Sequence, residues 1–262
     1  MDRGGAGFQS QWDAGFVHPV RAAIIAREDR DRDMSAVRDA LVRHYNSDAL
    51  DRVIYTESHD EVANGHARVP EEIWPANAGS WFSRKRSTLG AALVFTAPGI
   101  PMIFQGQEFL EDRYFRDSAP LDWTKLESYP GIHLLYRDLI RLRRNWFDQT
   151  RGLRGPHINV HHLNNADKVI AYHRWENGGP GDDVMVVANF GNRVYASYRV
   201  GFPRPGLWRV RFNSGWQGYS DDFGDSGGFD CWADAPGWDG MPFQATVGFA
   251  PYSVLVLSQD RS

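Results

Sequence analysis

Residues 52–61 read Arg52-Val53-Ile54-Tyr55-Thr56-Glu57-Ser58-His59-Asp60-Glu61, and residues 98–109 read Pro98-Gly99-Ile100-Pro101-Met102-Ile103-Phe104-Gln105-Gly106-Gln107-Glu108-Phe109. Each is a short β-branched or bulky apolar run that gives way to polar groups. That is how a buried strand opening into a polar loop reads. Between them Trp81–Thr96 has helical character and is stopped by Pro98-Gly99. Strand, polar loop, helix and strand again is the grammar of a parallel sheet with crossover helices.

Upstream, Gly7–Trp12 is short and aromatic-rich, and His18-Pro19 opens a helical stretch through Arg27, with proline suited to a first turn. Val37, Ala40, Leu41 and Tyr45 recur at helical spacing, which predicts a helix over Ser35–Asn46. Arg52–Thr56 and Ile100–Phe104 are the predicted strands, and Ile132–Trp146 is a basic amphipathic helix. A (β/α)₈ barrel needs about 250 residues and eight strand–helix units, whereas this pattern supplies roughly three. The expectation is therefore an α/β portion over residues 1–150 that is an incomplete TIM barrel, covering about strands six to eight.

From Arg151 the grammar changes. Ile158–Leu163, Val169–Trp175, Val184–Phe190, Tyr195–Gly201, Trp208–Phe212, Ala245–Phe249 and Ser253–Leu257 are short strands, alternating or continuously apolar. Asn177-Gly178-Gly179, Pro203–Gly206 and Asn213–Gly215 punctuate them. An antiparallel β-sandwich domain over residues 151–262 follows. Ser214–Gly240, rich in Gly, Asp and Trp, is expected to be one long ordered loop.

Composition bounds the function. The 262 residues are 42% hydrophobic and carry a net charge of −4, so no basic footprint for nucleic acid or anionic membrane exists. Aromatics make up 13%, with ten Trp and ten Tyr, which suits sugar stacking as well as core packing. Cys231 is the single cysteine, excluding an intrachain disulfide scaffold. Residues Met1 to Asp13 show no signal-peptide pattern, and Ala91–Ala97, the best apolar run, is too short to span a bilayer. A cytoplasmic protein without cofactor is expected. No metal-ligand cluster stands out; Asp221-Asp222 is the acidic pair a calcium ion could use.

The polar group at the end of the first strand carries the chemistry. Barrel active sites are built from residues just past the strands, at their C-terminal ends. There the His59 imidazole and Asp60 carboxylate can hydrogen-bond sugar hydroxyls, and Asp60 can stabilise an oxocarbenium-like transition state. A His-Asp pair also serves as a loop brace, as do Gln and Glu after a proline-bounded strand.

Together the two motifs are more specific. Ser58-His59-Asp60 and Gly99-Ile100-Pro101 followed by Gln105-Gly106-Gln107-Glu108 resemble the α-amylase family at barrel strands seven and eight. Gly4–Asp13 (GGAGFQSQWD) resembles the strand-six segment, and the all-β tail resembles the family's C-terminal domain. Within the family, Ser-His-Asp followed by Glu, as at Ser58–Glu61, and Gln107-Glu108-Phe109 are most similar to 1,4-α-glucan branching enzymes. The resemblance implies α-1,6 branching of an α-1,4-glucan by retaining glucanotransfer through a covalent glycosyl-enzyme. It implies that Asp60 is the third catalytic carboxylate and that His59 grips the same sugar. Glu61, Gln107 and Glu108 fall in matching segments as candidate substrate contacts, with Trp12 as a sugar platform; Trp74 and Trp81 are further aromatic candidates.

Two alternatives stay open. Tyr114-Phe115-Arg116-Asp117 has an echo in trehalose-releasing maltooligosaccharide hydrolases, and a non-catalytic glucan-binding remnant would fit the same residues. In the resemblance, the nucleophile Asp lies in a Gly-x-Arg-x-Asp segment and the acid/base Glu follows it, both ahead of the strand-six segment. No such match occurs in these residues. Retaining chemistry needs two carboxyls about 5 Å apart, so the chain alone is expected to be inactive. An incomplete barrel would also expose a strand edge, which predicts pairing with the missing N-terminal part or self-association.

Overall fold

The computed structural model describes residues 7–46, 48–63 and 66–261. Gly4, Gly5 and Ala6 of the segment likened to strand six lie outside them. Strands β1 (Gln11–Trp12), β2 (Arg52–Ile54) and β3 (Ile100–Pro101) form a parallel sheet in that order. Helices α1 (Ala14–Ile25) and α2 (Met34–Val42) connect the first pair, and α3 (Val69–Ile73) and α4 (Trp81–Thr96) the second. Helices α5 (Thr124–Ser128) and α6 (Pro130–Arg143) follow β3.

Local chemistry explains the helix ends. The Asp13 carboxylate accepts from the Gly15 amide at 2.9 Å, so α1 starts at Ala14 and not at His18. Pro19 consequently sits inside the helix. Helix α4 has the predicted bounds: the Ser80 hydroxyl accepts from the Ser83 amide, and Gly99 follows at φ 139. A Cβ at Gly99 would stand 3.0 Å from the Ile54 side chain, and φ 139 is a conformation that side-chain-bearing residues rarely adopt, so glycine suits the close approach of β3 to β2. The second strand was expected to run to Phe104, but pairing stops at Pro101, which has no amide proton, and only the Met102 amide reaches back to Ile54.

Arg52 ties these elements together. It is fully buried and donates to the Pro98 carbonyl, to the Ala40 and Leu41 carbonyls that end α2, and to the Asp13 carboxylate at 3.1 Å. Asp13, also fully buried, accepts further from the Tyr45 hydroxyl at 2.9 Å. The end of β1, the start of β2 and the turn into β3 are thus fixed to one guanidinium.

The second half is antiparallel, as expected. Strands β4 (His157–Asn164), β5 (Val169–Trp175), β6 (Val184–Asn189), β7 (Tyr195–Phe202), β8 (Gly206–Asn213), β9 (Cys231–Ala233), β10 (Phe243–Phe249) and β11 (Ser253–Ser258) form two sheets. Six of them pair in the order β4-β5-β6-β11-β8-β9, while β10 and β7 pair separately. The Ser214–Gly240 segment is not one loop: Cys231–Ala233 pairs with β8 through Trp208 and Cys231.

The large sheet is buried on both faces. Ile170, Tyr172, Val184, Val186, Val254 and Val256 pack against α1, α2, α4 and α6. Their neighbours in sequence, Val169, Ala171, Met185, Val187, Leu255 and Leu257, pack with Val200, Val247 and Phe249 of the β7–β10 pair. Strand alternation gives each face to a different layer. At the joint, Tyr172 and Thr96 hydroxyls lie 2.5 Å apart, Arg174 donates to the Thr96 carbonyl that ends α4 and Arg143 to the Ala97 carbonyl that caps it, where a cation suits the helix dipole.

Replacing Arg52 with Met removes the buried cation from Asp13 and leaves it only the half-exposed Arg43, 3.4 Å away. The expected loss is about 3–5 kcal/mol in urea unfolding, against a small effect for exposed arginines such as Arg27. A loss below 1 kcal/mol would mean that the pair does not hold the sheet.

Candidate functional site

The loops that leave β2 and β3 form one rim at the C-terminal side of the parallel sheet. Trp12, at the end of β1, meets Tyr55 edge-on at 5.5 Å and the His59 ring at 5.6 Å. His59 Nε2 stands 3.2 Å from Asp60 Oδ1, and both side chains are more than half exposed. Glu61 is half-buried, with its carboxylate 3.8 Å from His18 Nδ1 and its amide donating to the Ser58 hydroxyl. Burial, with the Glu61 and Asp60 charges next, pushes the Tyr55 phenol up to about 12, so it stays protonated as a donor beside this group. Trp12, His59, Asp60 and Glu61 therefore come together: an aromatic edge, an imidazole and carboxylates, open to the outside.

Gln107 does not join them as a free group. It is buried, its amide nitrogen donates to the Thr56 hydroxyl at 2.6 Å, and its carbonyl oxygen accepts from the Phe104 amide. It locks the loop after β3 to the end of β2. Glu108 turns to a separate cleft of about 520 Å³, shared with Ile103, His133, Tyr136 and Trp146, where its Oε2 is buried without a hydrogen-bond partner.

Three charged groups that sequence reading gave no role shape the rim. Glu57, next to Ser58, is fully buried; it accepts from the Val69 amide at 2.6 Å and from Arg68 at 3.1 Å. Arg68 also donates to the Gln105 carbonyl and lies 4.6 Å over the Phe104 ring, clamping the two loops together. Glu111 accepts from the Asp112, Arg113 and Asp122 amides, closing the loop between Asp112 and Asp122. The only local hint of these roles is a Glu placed beside a polar cluster, which many exposed loops share.

In front of Gln105 a cleft of about 230 Å³ is lined by Arg68, Arg113, Tyr114 and Phe115. Among the described residues no group of three or more His, Cys, Asp or Glu is placed to hold a metal. Asp222, half of the pair considered for calcium, is taken by Arg84 at 2.6 Å. No helix among the described residues is long and apolar enough to cross a membrane.

Known proteins with the same fold come first. Residues 160–260 match the α-amylase C-terminal all-beta domain. Pullulanase from Anoxybacillus sp. LM18-11, solved with maltotetraose, superposes with a TM-score of 0.66 at 21% identity, over 95% of this chain and 35% of that one. Type I pullulanase from Bacillus subtilis gives 0.64 at 17% identity, over 96% of this chain and 35% of its own.

The sequence relatives are more particular. The 1,4-alpha-glucan branching enzyme GlgB of Nocardia farcinica is 28% identical over 99% of this chain and 34% of its own length. That of Rhodopseudomonas palustris (strain BisB5) is 30% identical over 82% of this chain and 30% of its own. The resemblance of this chain to the α-amylase family, and within it to branching enzymes, therefore holds over nearly its whole length. The chain spans about a third of the length of these relatives.

Glu111 yields a pH test. Burial alone would raise its carboxyl, but the backbone amides of Asp122 and Arg113 and the Arg113 side chain outweigh it and hold the pKa below 4.5. A depressed carboxylate stabilises the fold above the unfolded value, and the contribution is lost as pH falls through the folded one. Proteolytic nicking between Asp112 and Leu121 should thus be slow at pH 7 and rise below about pH 4.5 with an acid-active protease. Glu111→Ala should be nicked fast at both; equal resistance in the variant would remove Glu111 as the latch.

Proposed function

We propose that this chain is the C-terminal part of a 1,4-α-glucan branching enzyme: residues 1–150 the last third of a (β/α)₈ barrel and residues 151–262 its β domain. The observation that carries the proposal is the gathering of Trp12, His59 and Asp60 on the rim of adjacent parallel strands. In a chain similar to branching enzymes end to end, that is where a glucose ring would be held.

His59 would donate to a ring hydroxyl, while the Asp60 carboxylate faces the positive charge that develops as the glycosidic bond lengthens. Asp60 thereby works in the transition state and not as the attacking group. The nucleophile and the proton-transferring acid would come from polypeptide outside these 262 residues, and a sugar 6-hydroxyl would replace water as acceptor. That polypeptide would pair along the parallel sheet, at whose edges β1 and β3 lie. The single cysteine fits a cytoplasmic enzyme.

The test joins or mixes this chain with the polypeptide encoded upstream and assays amylose by iodine absorbance and by NMR of α-1,6 linkages. Branches should form, and Asp60→Asn should reduce kcat by about 10²-fold or more. Reducing ends without branches would favour the maltooligosaccharide hydrolase reading. Full activity in the Asp60 variant would defeat the assignment of that carboxylate.

A further inference from the structure

A strap of the β domain crosses the helical layer. Residues 214–223 follow β8 and reach the starts of α4 and α6. In the first turn of α4 the Trp81 indole donates to the Asp222 carbonyl at 3.1 Å, and Arg84 donates to the Ser220 hydroxyl and to both Asp222 carboxylate oxygens. At the head of α6 the Tyr219 carbonyl lies so close to Gly131 that a side chain there would collide with it. The Tyr219 hydroxyl donates to Asp138 of the same helix at 3.0 Å. The far end is fastened by the Ser214 hydroxyl, which accepts from the Val254 amide of β11 at 2.8 Å.

Beneath the strap lies an amine that the glucan site does not use. Lys85 of α4 is fully buried, and its Nζ has no hydrogen-bond partner among the described residues. It stands 4.6 Å over the Phe223 ring, with Gly215 of the strap beside it. The charged and titratable groups around it are committed elsewhere. Asp222 of the strap, whose charge favours the protonated amine, is taken by Arg84 at 2.6 Å. On α6, Asp138 serves the Tyr219 hydroxyl and lies 3.6 Å from Arg141. Arg84 and Arg86 on α4 itself are cations, and Tyr252, ahead of β11, gives its hydroxyl to Asp29. One ring face replaces the water around an ammonium only in part. Burial therefore pushes the amine down to about 7, with Asp222 opposing it weakly.

We propose that Lys85 is a pH-sensitive release for this strap: the neutral amine lets residues 214–223 close over α4, and the protonated amine favours the strap lifted, where water reaches Nζ. The inference is independent of the glucan reading. Closed, the amine takes a proton only below about pH 7, whereas under an open strap it has the ordinary lysine value of 10.5. Between those limits the open form binds the extra proton. Opening then becomes easier by up to about tenfold for each pH unit lowered, and the gain levels off below about pH 7. Tyr219 stays protonated across this window, because burial and then Asp138 push its phenol up. Through the strap β8 is tied to α4 and α6, so pH would set how firmly the β domain is held to the helices.

The experiment is limited chymotrypsin digestion of this chain at pH 7 and pH 9, each rate divided by that of a reference peptide at the same pH. Cleavage at Trp216, Tyr219 and Phe223 is read by mass spectrometry, and when cutting is slow against reclosing the rate follows the open population. The parent should be cut at these sites at least about tenfold faster at pH 7 than at pH 9. Lys85→Met, uncharged at both, should be cut slowly at both; Lys85→Arg, charged at both, should be cut fast at both. In NMR of the parent, the Lys85 Cε signal should titrate near pH 7. Equal corrected rates for the parent at the two pH values, a pH dependence that survives in Lys85→Met, or a Cε signal that titrates above about pH 9 overturns the proposal.

Discussion

The rim depends on a buried guanidinium. Arg52 lies at the start of β2, fully out of water, and is repaid by one carboxylate and by carbonyls from α2 and from the turn into β3. An unpaired cation there would cost several kcal/mol, so every one of these partners has to be in place when the sheet forms. Asp13 serves twice, as the partner of Arg52 and as the N-cap of α1. That double use fixes where β1 ends and hence where Trp12 stands relative to His59. The position of the rim is set from below, by buried groups.

Rigidity comes from the second half. A strand such as β6 offers Val184 and Val186 to the helices and Met185 and Val187 to the β7–β10 pair. Helix α4 lies between the parallel sheet and the large antiparallel one, and most of its residues are buried, polar ones included. Ser83, Thr88 and Thr96 satisfy themselves on backbone carbonyls, which lets a helix of low overall hydrophobicity sit in the core. Loops after β2 and β3 are then clamped on this frame by Glu57, Arg68 and Gln107.

Elements whose signal is local were legible in the sequence. Trp81–Thr96 has a serine cap and a Pro-Gly stop, and Val169–Trp175 opens on the apolar run Val169–Tyr172; both carry their bounds as read. Where the deciding partner is distant, sequence reading went astray. The start of α1 turns on the Asp13 carboxylate rather than on Pro19. Strand β9 is three residues in a Gly- and Asp-rich stretch, recognisable only through its pairing with Trp208 and its neighbours. At the rim, Trp12, His59, Asp60 and Glu61 lie together, whereas Gln107 and Glu108 turn elsewhere. The roles of Glu57, Arg68 and Glu111 are not encoded in spacing, because each depends on amides or carbonyls brought in by folding.

The central claim is that Trp12, His59 and Asp60 act as one sugar-gripping unit. NMR of the tryptophan indole N–H and histidine ring signals during titration with maltoheptaose tests it most directly. The account predicts that the Trp12 and His59 signals shift together along one binding curve, and that Asp60→Asn abolishes both shifts. If those two signals stay fixed while the Trp74 indole titrates to saturation, the chain takes up glucan somewhere else and the claim is contradicted.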